Sequence, residues 1–404
     1  MQSVLVNNRI MKKTRRNFLK ESVMVSAAVG LVPRTLISQS TKAPYTTLEK
    51  DAMIGIQMAP HSFFDEGIEP VLDFLHDEAE INTIMVYSHT YHGNHDKPIE
   101  ILAKDHFVSP NTSSPRNMRR SWVEHKDKYF KNTILKHENP DSKMEYFDRD
   151  ILNELRMPTR ERNMKLYVRI LEAGKKGKDY IENYERVLTE DVYGNIGGGP
   201  CWNNPDYRNW LYGTIENLVK EYDLDGIQYG AERTGPLSET ALKGQTPACF
   251  CEHCMKENAT KGVDVERAKT GYKELYEYIK RVENKEATES GTVMTMIWRL
   301  LHKYPEILAW NYNWFQSDEE IQRNIYEQTK AIKPNMNIGR HVDHQRSSWD
   351  PFYRAAVSYE QMAEYSDFIK PILYHDIYGP RLRWWVVDQW KDYMFNDLSE
   401  EEIL

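Results

Sequence analysis

From residue 52 onward, short apolar runs alternate with longer stretches of helical spacing. That alternation constrains the fold more than any other feature. A strand covered on both faces reads as a short, nearly continuous apolar run, and a helix between two such strands lets them lie parallel. The strand candidates are 52–60 (AMIGIQMAP), 81–89 (INTIMVYSH), 165–173 (KLYVRILEA), 224–232 (LDGIQYGAE), 306–314 (EILAWNYNW), 336–344 (MNIGRHVDH) and 367–376 (DFIKPILYHD). Helical patterns fall at 205–222, 264–283, 318–331 and 358–366. The fold class is therefore α/β, and the expectation is a (β/α)8 TIM barrel over residues 45–404. Seven strands are read instead of eight. The tail "WWVVDQWKDYMFNDLSEEEIL" reads as a helix, so the barrel is expected to be incomplete or irregular at its C-terminal end.

The first 40 residues read differently. "MKKTRRNFLKESVMVSAAVGLVP" joins a basic start to a short apolar run. The stretch Thr14-Arg15-Arg16-Asn17-Phe18-Leu19-Lys20 resembles a twin-arginine (Tat) export signal. The apolar run from Val23 to Val32 is too short to cross a bilayer as a mature helix. Residues 1–40 are thus expected to direct export to the periplasm or beyond, with no stable membrane insertion afterwards. Mean hydropathy of -0.71 excludes a polytopic membrane protein. The net charge of -8 lacks the basic footprint of a nucleic-acid binder.

Side-chain parity places one carboxylate. In "DGIQYGAER", Gln228, Gly230 and Glu232 share one face of the strand, and Ile227, Tyr229 and Ala231 share the other. The apolar set belongs under the helices. The other set faces the barrel axis and ends in Glu232 at the C-terminal rim, where barrel enzymes carry their chemistry. A salt bridge to Arg233 is the structural alternative.

All four cysteines fall close to that strand: Cys201 before it, and Cys249, Cys251 and Cys254 after it in "PACFCEHC". Four sulfur donors fit a tetrahedral structural zinc. Disulfides from Cys201 to one of the others are the rival, and an exported protein would meet an oxidising compartment.

The stretch "CWNNPDYRNWLYGTIENLVKEYDLDGIQYGAER…CFCEHCMKENATKG" resembles the fourth-strand region of glycoside hydrolase family 42, β-galactosidase-type TIM barrels. Cys201, Asn203, Pro205, Tyr207 and Arg208 match a Cys-x-Asn-x-Pro-x-Tyr-Arg motif. Glu232 falls at the acid/base position. Cys201, Cys249, Cys251 and Cys254 match the cysteines that hold that family's structural zinc. The resemblance covers roughly residues 200–260, and elsewhere it is one of fold only. It implies a carbohydrate-active hydrolase acting on oligo- or polysaccharides. Two departures are plain: Ala231 stands where the family has Asn, and the seventh strand lacks the nucleophilic Glu. Asp376 is the carboxylate nearest that place, and Asp343 on the preceding strand is the second candidate. Asp is one methylene shorter than Glu, so the carboxyl separation would widen, and that separation decides the stereochemical outcome.

Other candidates line the strand ends. Trp310, Tyr312 and Trp314 alternate, so a strand there would offer one aromatic face to sugar rings. His61, His89, Arg169, His341, His344 and His375 are candidates for the pocket wall. Two further readings follow. His341, Asp343, His344, His375 and Asp376 could ligate a divalent ion in a metal-dependent sugar isomerase or hydrolase. Alternatively, the missing Glu and Ala231 fit a barrel that binds glycans without turning them over.

Overall fold

The computed structural model describes residues 52–90, 119–138, 140–172, 174–343, 350–372 and 379–404. The export-signal stretch, His344, His375 and Asp376 lie outside them. Six strands form the central sheet: β1 (Gly55–Met58), β2 (Thr83–Tyr87), β3 (Lys165–Leu171), β4 (Gly226–Gly230), β5 (Asn337–Val342) and β6 (Phe368–Pro371). Their spatial order is their chain order, and every neighbouring pair is parallel.

The sheet is curled into a half-barrel. Laid flat at about 4.8 Å per strand, β1 and β6 would stand roughly 24 Å apart. Instead Lys370 of β6 donates to Gln57 of β1 at 3.2 Å, and Gln57 donates to Gln228 of β4 at 2.6 Å. These side chains reach across the interior. Gln57, Arg169, Gln228, His341 and Lys370 therefore occupy the concave face. The register confirms it, with Arg169 beside Gln228 and His341 beside Lys370. Glycine makes room on this face. A Cβ on Gly339 would meet the Phe368 ring at 2.0 Å, and one on Gly226 would meet the Tyr167 ring at 2.5 Å.

Helices cover the convex face, while those between residues 236 and 303 pack mainly on one another and on the 306–332 helix. In chain order they are α1 (Pro60–Glu66), α2 (Ile68–Asp73), α3 (Ile151–Glu161), α4 (Pro205–Glu221), α5 (Pro236–Lys243), α6 (Glu252–Thr260), α7 (Val265–Glu283), α8 (Val293–Lys303), α9 (Glu306–Ile332), α10 (Pro351–Ala356) and α11 (Tyr359–Ala363). Their starts follow the sequence. Asp150, Asn204, Asp264, Thr292, Asp350 and Ser358 each accept first-turn amides, and Pro205 sits where a missing N–H costs nothing. Ile84, Val86, Val168 and Ile227 point under these helices and are buried.

Among the described strand residues, one on the convex face is charged. Arg340 of β5 is 2% exposed. Its guanidinium meets Glu319 at 2.8 Å, Asp318 at 3.0 Å and the Tyr365 hydroxyl at 3.1 Å, tying β5 to α9.

Residues 306–314, expected as a strand, begin the 27-residue helix α9. Beneath the local alternation runs a helical set: Ile307, Trp310, Trp314, Ile321 and Ile325 are all buried. A spacing of three or four residues, repeated over that length, outweighs a period of two held over nine. The described sheet thus has six strands instead of seven, and a complete eight-strand barrel is not what these residues form. The expected C-terminal helix is a wide turn at Trp384–Gln389 and a short helix at Glu400–Ile403. Residues 53–404 form one compact unit. Among the described residues no helix is long and apolar enough to cross a membrane.

Candidate functional site

Glu232 follows β4 by two residues and lies at the C-terminal edge of the sheet. Its side chain is 38% exposed, so the carboxylate reaches solvent. It is also held. His341 Nε2 lies 2.9 Å from Glu232 Oε1, and Arg169 Nη2 lies 3.9 Å from the same oxygen. Arg169 also meets Tyr87 and lies 3.3 Å from His341 Nε2. The concave face therefore brings together Glu232, Arg169 and His341, three residues picked out in the sequence. Asp343 is buried just beyond β5, with the same parity as His341.

Burial pulls the His341 pKa down to about 4, against the upward pull of Glu232, so the ring is neutral at pH 7. A neutral imidazole offers Nε2 in one of two ways. As N–H it donates to an ionised Glu232. As a lone pair it accepts from Arg169 and from a protonated Glu232. The two states differ by one proton, which Glu232 carries, and His341 answers it by a change of tautomer. Lys370 joins this face without any sequence signal having marked it. Burial, with Arg169 adding to it, pulls its amine down to about 8.

Glu232 opens into a cleft of about 430 Å3. Arg233, Trp314, Glu239 and Lys243 help to line it. Glu239 is a second carboxylate here, carried by α5. It bonds to Thr234 and lies 3.2 Å from Lys243, and burial pushes its pKa up. No sequence signal marks Glu239, because a helix has no strand-end landmark.

The aromatic face resolves differently from its expectation. Residues two apart on a helix point some 200° apart, so a period-two triplet cannot share a face. Trp310 turns inward and stacks on Phe250 at 4.4 Å. Tyr312 is exposed to solvent. Trp314 alone borders the Glu232 cleft, packed against Trp202 at 4.1 Å. His61 is buried in α1, and His89 joins His125 and His137.

The four cysteines converge. All four are buried and none is disulfide-bonded. Their Sγ atoms lie within 4.8 Å of one another, with Cys201 at 3.4 Å from Cys251 and 3.5 Å from Cys254. A tetrahedral zinc with Zn–S bonds of about 2.3 Å sets sulfurs about 3.8 Å apart, so the group can hold a metal ion. Donors already point at it. Asn203 Nδ2 lies 3.5 Å from Cys254 Sγ, and the Glu190 amide lies 3.5 Å from Cys249 Sγ.

The motif residues around Cys201 now have physical roles. Asn203 donates to sulfur, and Pro205 opens α4. Tyr207 donates to Glu172 at 3.1 Å, and Arg208 bonds Asn203 at 3.1 Å and Glu320 at 3.0 Å. Glu172 follows β3 by one residue, and its side chain is 2% exposed. It also receives Trp202 Nε1 at 2.7 Å and Arg233 at 3.2 Å.

Fold and site together define a parallel α/β half-barrel with a strand-end carboxylate and a buried four-sulfur group. No protein-family model and no curated protein matches the chain. Solved structures similar to it include α-L-fucosidase isoenzyme 2 from Paenibacillus thiaminolyticus, at TM-score 0.39 and 14% identity over 72% of this chain and 33% of that one. The β-galactosidase from Halorubrum lacusprofundi gives TM-score 0.44 and 11% identity over 80% of this chain and 40% of that one. The β-galactosidase from Bacillus circulans sp. alkalophilus gives 0.41 and 13% over 81% and 40%. The chain thus spans two fifths or less of the length of these three proteins.

Proposed function

We propose that this chain is a carbohydrate-active hydrolase that cleaves glycosidic bonds, with Glu232 as its general acid. The observation that carries the proposal is the placement of Glu232. It is a half-open carboxylate at a strand end, bonded to a neutral His341 at 2.9 Å, facing a cleft that Trp314 lines. Glycoside cleavage needs one carboxyl to protonate the leaving oxygen and a second carboxylate opposite it. Glu232 passes its proton to the glycosidic oxygen as the C–O bond breaks. Arg169 then stabilises the carboxylate left behind. Asp343 is the second carboxylate by parity, with Asp376 as the other candidate. Its base role would take the proton of the attacking water, or its nucleophilic role would bond the sugar carbon directly.

The zinc is likewise proposed, on Cys201, Cys249, Cys251 and Cys254. Bound there it supplies a structural crosslink between the segment before α4 and the start of α6. Residues 1–40 are proposed as a Tat export signal, which delivers the folded protein to the periplasm or beyond.

The test is turnover of a broad panel of aryl glycosides and oligosaccharides by the parent and by Glu232→Gln. Removing a general acid should lower kcat by roughly 10²–10⁴-fold, and least for substrates whose leaving group needs no proton. Unchanged turnover would overturn the assignment. Tight oligosaccharide binding with no turnover in the parent would replace it with a glycan-binding barrel.

A further inference from the structure

A second group of ligand-type side chains lies outside the Glu232 site. His89 follows β2 in a two-residue strand, His89–Thr90. His125 sits in the loop that returns beside it, and His137 ends the short strand Lys136–His137. One nitrogen from each ring can be chosen so that all three lie within 4.8 Å of one another.

One nitrogen of each ring has been left bare. His89 Nε2, His125 Nδ1 and His137 Nδ1 are buried and make no hydrogen bond. The opposite nitrogen of each ring meets a hydroxyl: Ser88 at 2.8 Å, Ser121 at 2.9 Å and Thr214 at 3.5 Å. Two of these hydroxyls have already committed their proton. Ser121 donates to the Val123 carbonyl at 3.0 Å, and Thr214 donates to the Trp210 carbonyl at 2.9 Å. Their oxygens must therefore accept, so His125 and His137 donate from Nε2. That fixes both tautomers and leaves a lone pair on each Nδ1. A ring held by its far N–H, with the near nitrogen unprotonated, is how a histidine is prepared to bind a metal.

The surroundings agree. Burial draws the His89 pKa down to about 3 and the other two well below their ordinary value, so all three rings stay in the neutral, ligating form. Trp210, Phe130 and Tyr180 wall the cluster with aromatic rings. His125 and His137 also border a cleft of about 720 Å3 that gives an ion a way in.

We propose that His89, His125 and His137 form a three-histidine site for a borderline divalent metal ion, zinc being the expected one, through His89 Nε2, His125 Nδ1 and His137 Nδ1. Three neutral imidazoles favour zinc, copper, nickel or cobalt over calcium and magnesium, which prefer oxygen. The His125 and His137 rings now stack at 3.5 Å and 9°. A metal must lie near the plane of each ligating ring, so binding turns one of them about its Cβ–Cγ bond. The ion would clamp the end of β2, the 121–126 loop and the 136–137 strand together.

The test uses the purified full chain, loaded with zinc and freed of excess by gel filtration. The parent is compared with His137→Phe, which keeps an aromatic ring in the stack. Metal analysis is expected to find one ion fewer per chain in the variant. The difference is independent of whether the cysteines are loaded. Equal metal content in a folded variant overturns the proposal. The cobalt-loaded forms serve as the second measurement. The variant should lose the weak visible bands of a nitrogen-ligated ion and keep any thiolate-to-cobalt charge transfer. Copper-loaded parent whose electron paramagnetic resonance shows no nitrogen splitting overturns it as well.

Discussion

Replacing Arg340 with Met should be among the most damaging single changes in the molecule. The guanidinium is 2% exposed and serves two carboxylates, Asp318 at 3.0 Å and Glu319 at 2.8 Å. Those side chains are 1% and 9% exposed, so water cannot take over. Breaking a buried pair from one side costs about 3–5 kcal/mol, because it strands a charge in a poorly polarisable interior. Here two like charges on adjacent residues would lose the same guanidinium together, which puts the expectation near the upper end. At a urea m-value of about 3 kcal/mol/M, a loss of about 4 kcal/mol moves the unfolding midpoint down by about 1.3 M. The companion variant Arg340→Met/Asp318→Asn/Glu319→Gln removes the charges along with their partner. It should recover most of the loss, since neutral replacements of a buried ion pair are often tolerated. The assay is urea unfolding followed by far-ultraviolet circular dichroism. A single variant within about 1 kcal/mol of the parent, or a triple variant no better than the single one, would refute the reasoning. Neighbouring His341 shares the strand, so the single variant should also loosen the Glu232 contact.

Three further outcomes are expected. Gly339→Ala puts a Cβ at 2.0 Å from the Phe368 ring, so it should cost about 1–3 kcal/mol; Phe368→Leu in the same chain should relieve it, as thermal melts would show. Cys254→Ser should reduce bound zinc by one ion per chain and lower the melting temperature, and equal metal content would remove the cysteine site. Lys370 has its amine drawn down to about 8 in the folded chain, whereas an unfolded lysine keeps its proton to about 10.4. Between those values the unfolded chain holds the extra proton, so this residue makes stability rise with pH. Unfolding free energies from pH 7.5 to 10 should show that slope in the parent and lose it in Lys370→Met.

The strands legible in the sequence were those where parity and burial agree. Ile227, Tyr229 and Ala231 went under the helices, while Gln228 and Glu232 took the concave face. Glu232 was legible because a strand end is a landmark in sequence. Arg169 and His341 were legible as strand residues, but their meeting at one carboxylate depends on curl, which no local pattern encodes. The error at 306–314 came from scale: nine residues showed a period of two, and only the longer run showed the helix. Glu239, Lys370, His125 and His137 carried no signal at all. Each becomes chemical through what it is folded against, as with His137, whose tautomer is set by Thr214 and Trp210 far along the chain.

Glu172 gives the two halves of this site a shared mechanical node. On one side it holds Trp202, the residue after Cys201; on the other it holds Arg233, the residue after Glu232. Arg233 closes the loop by donating to the Pro200 carbonyl at 2.6 Å, immediately before Cys201. A displacement at the sulfur cluster therefore has a chain of only a few hydrogen bonds to travel before it moves the strand-end carboxylate. Oxidation of those thiols, or competition for them by a softer metal, would detune Glu232 without any molecule entering its cleft.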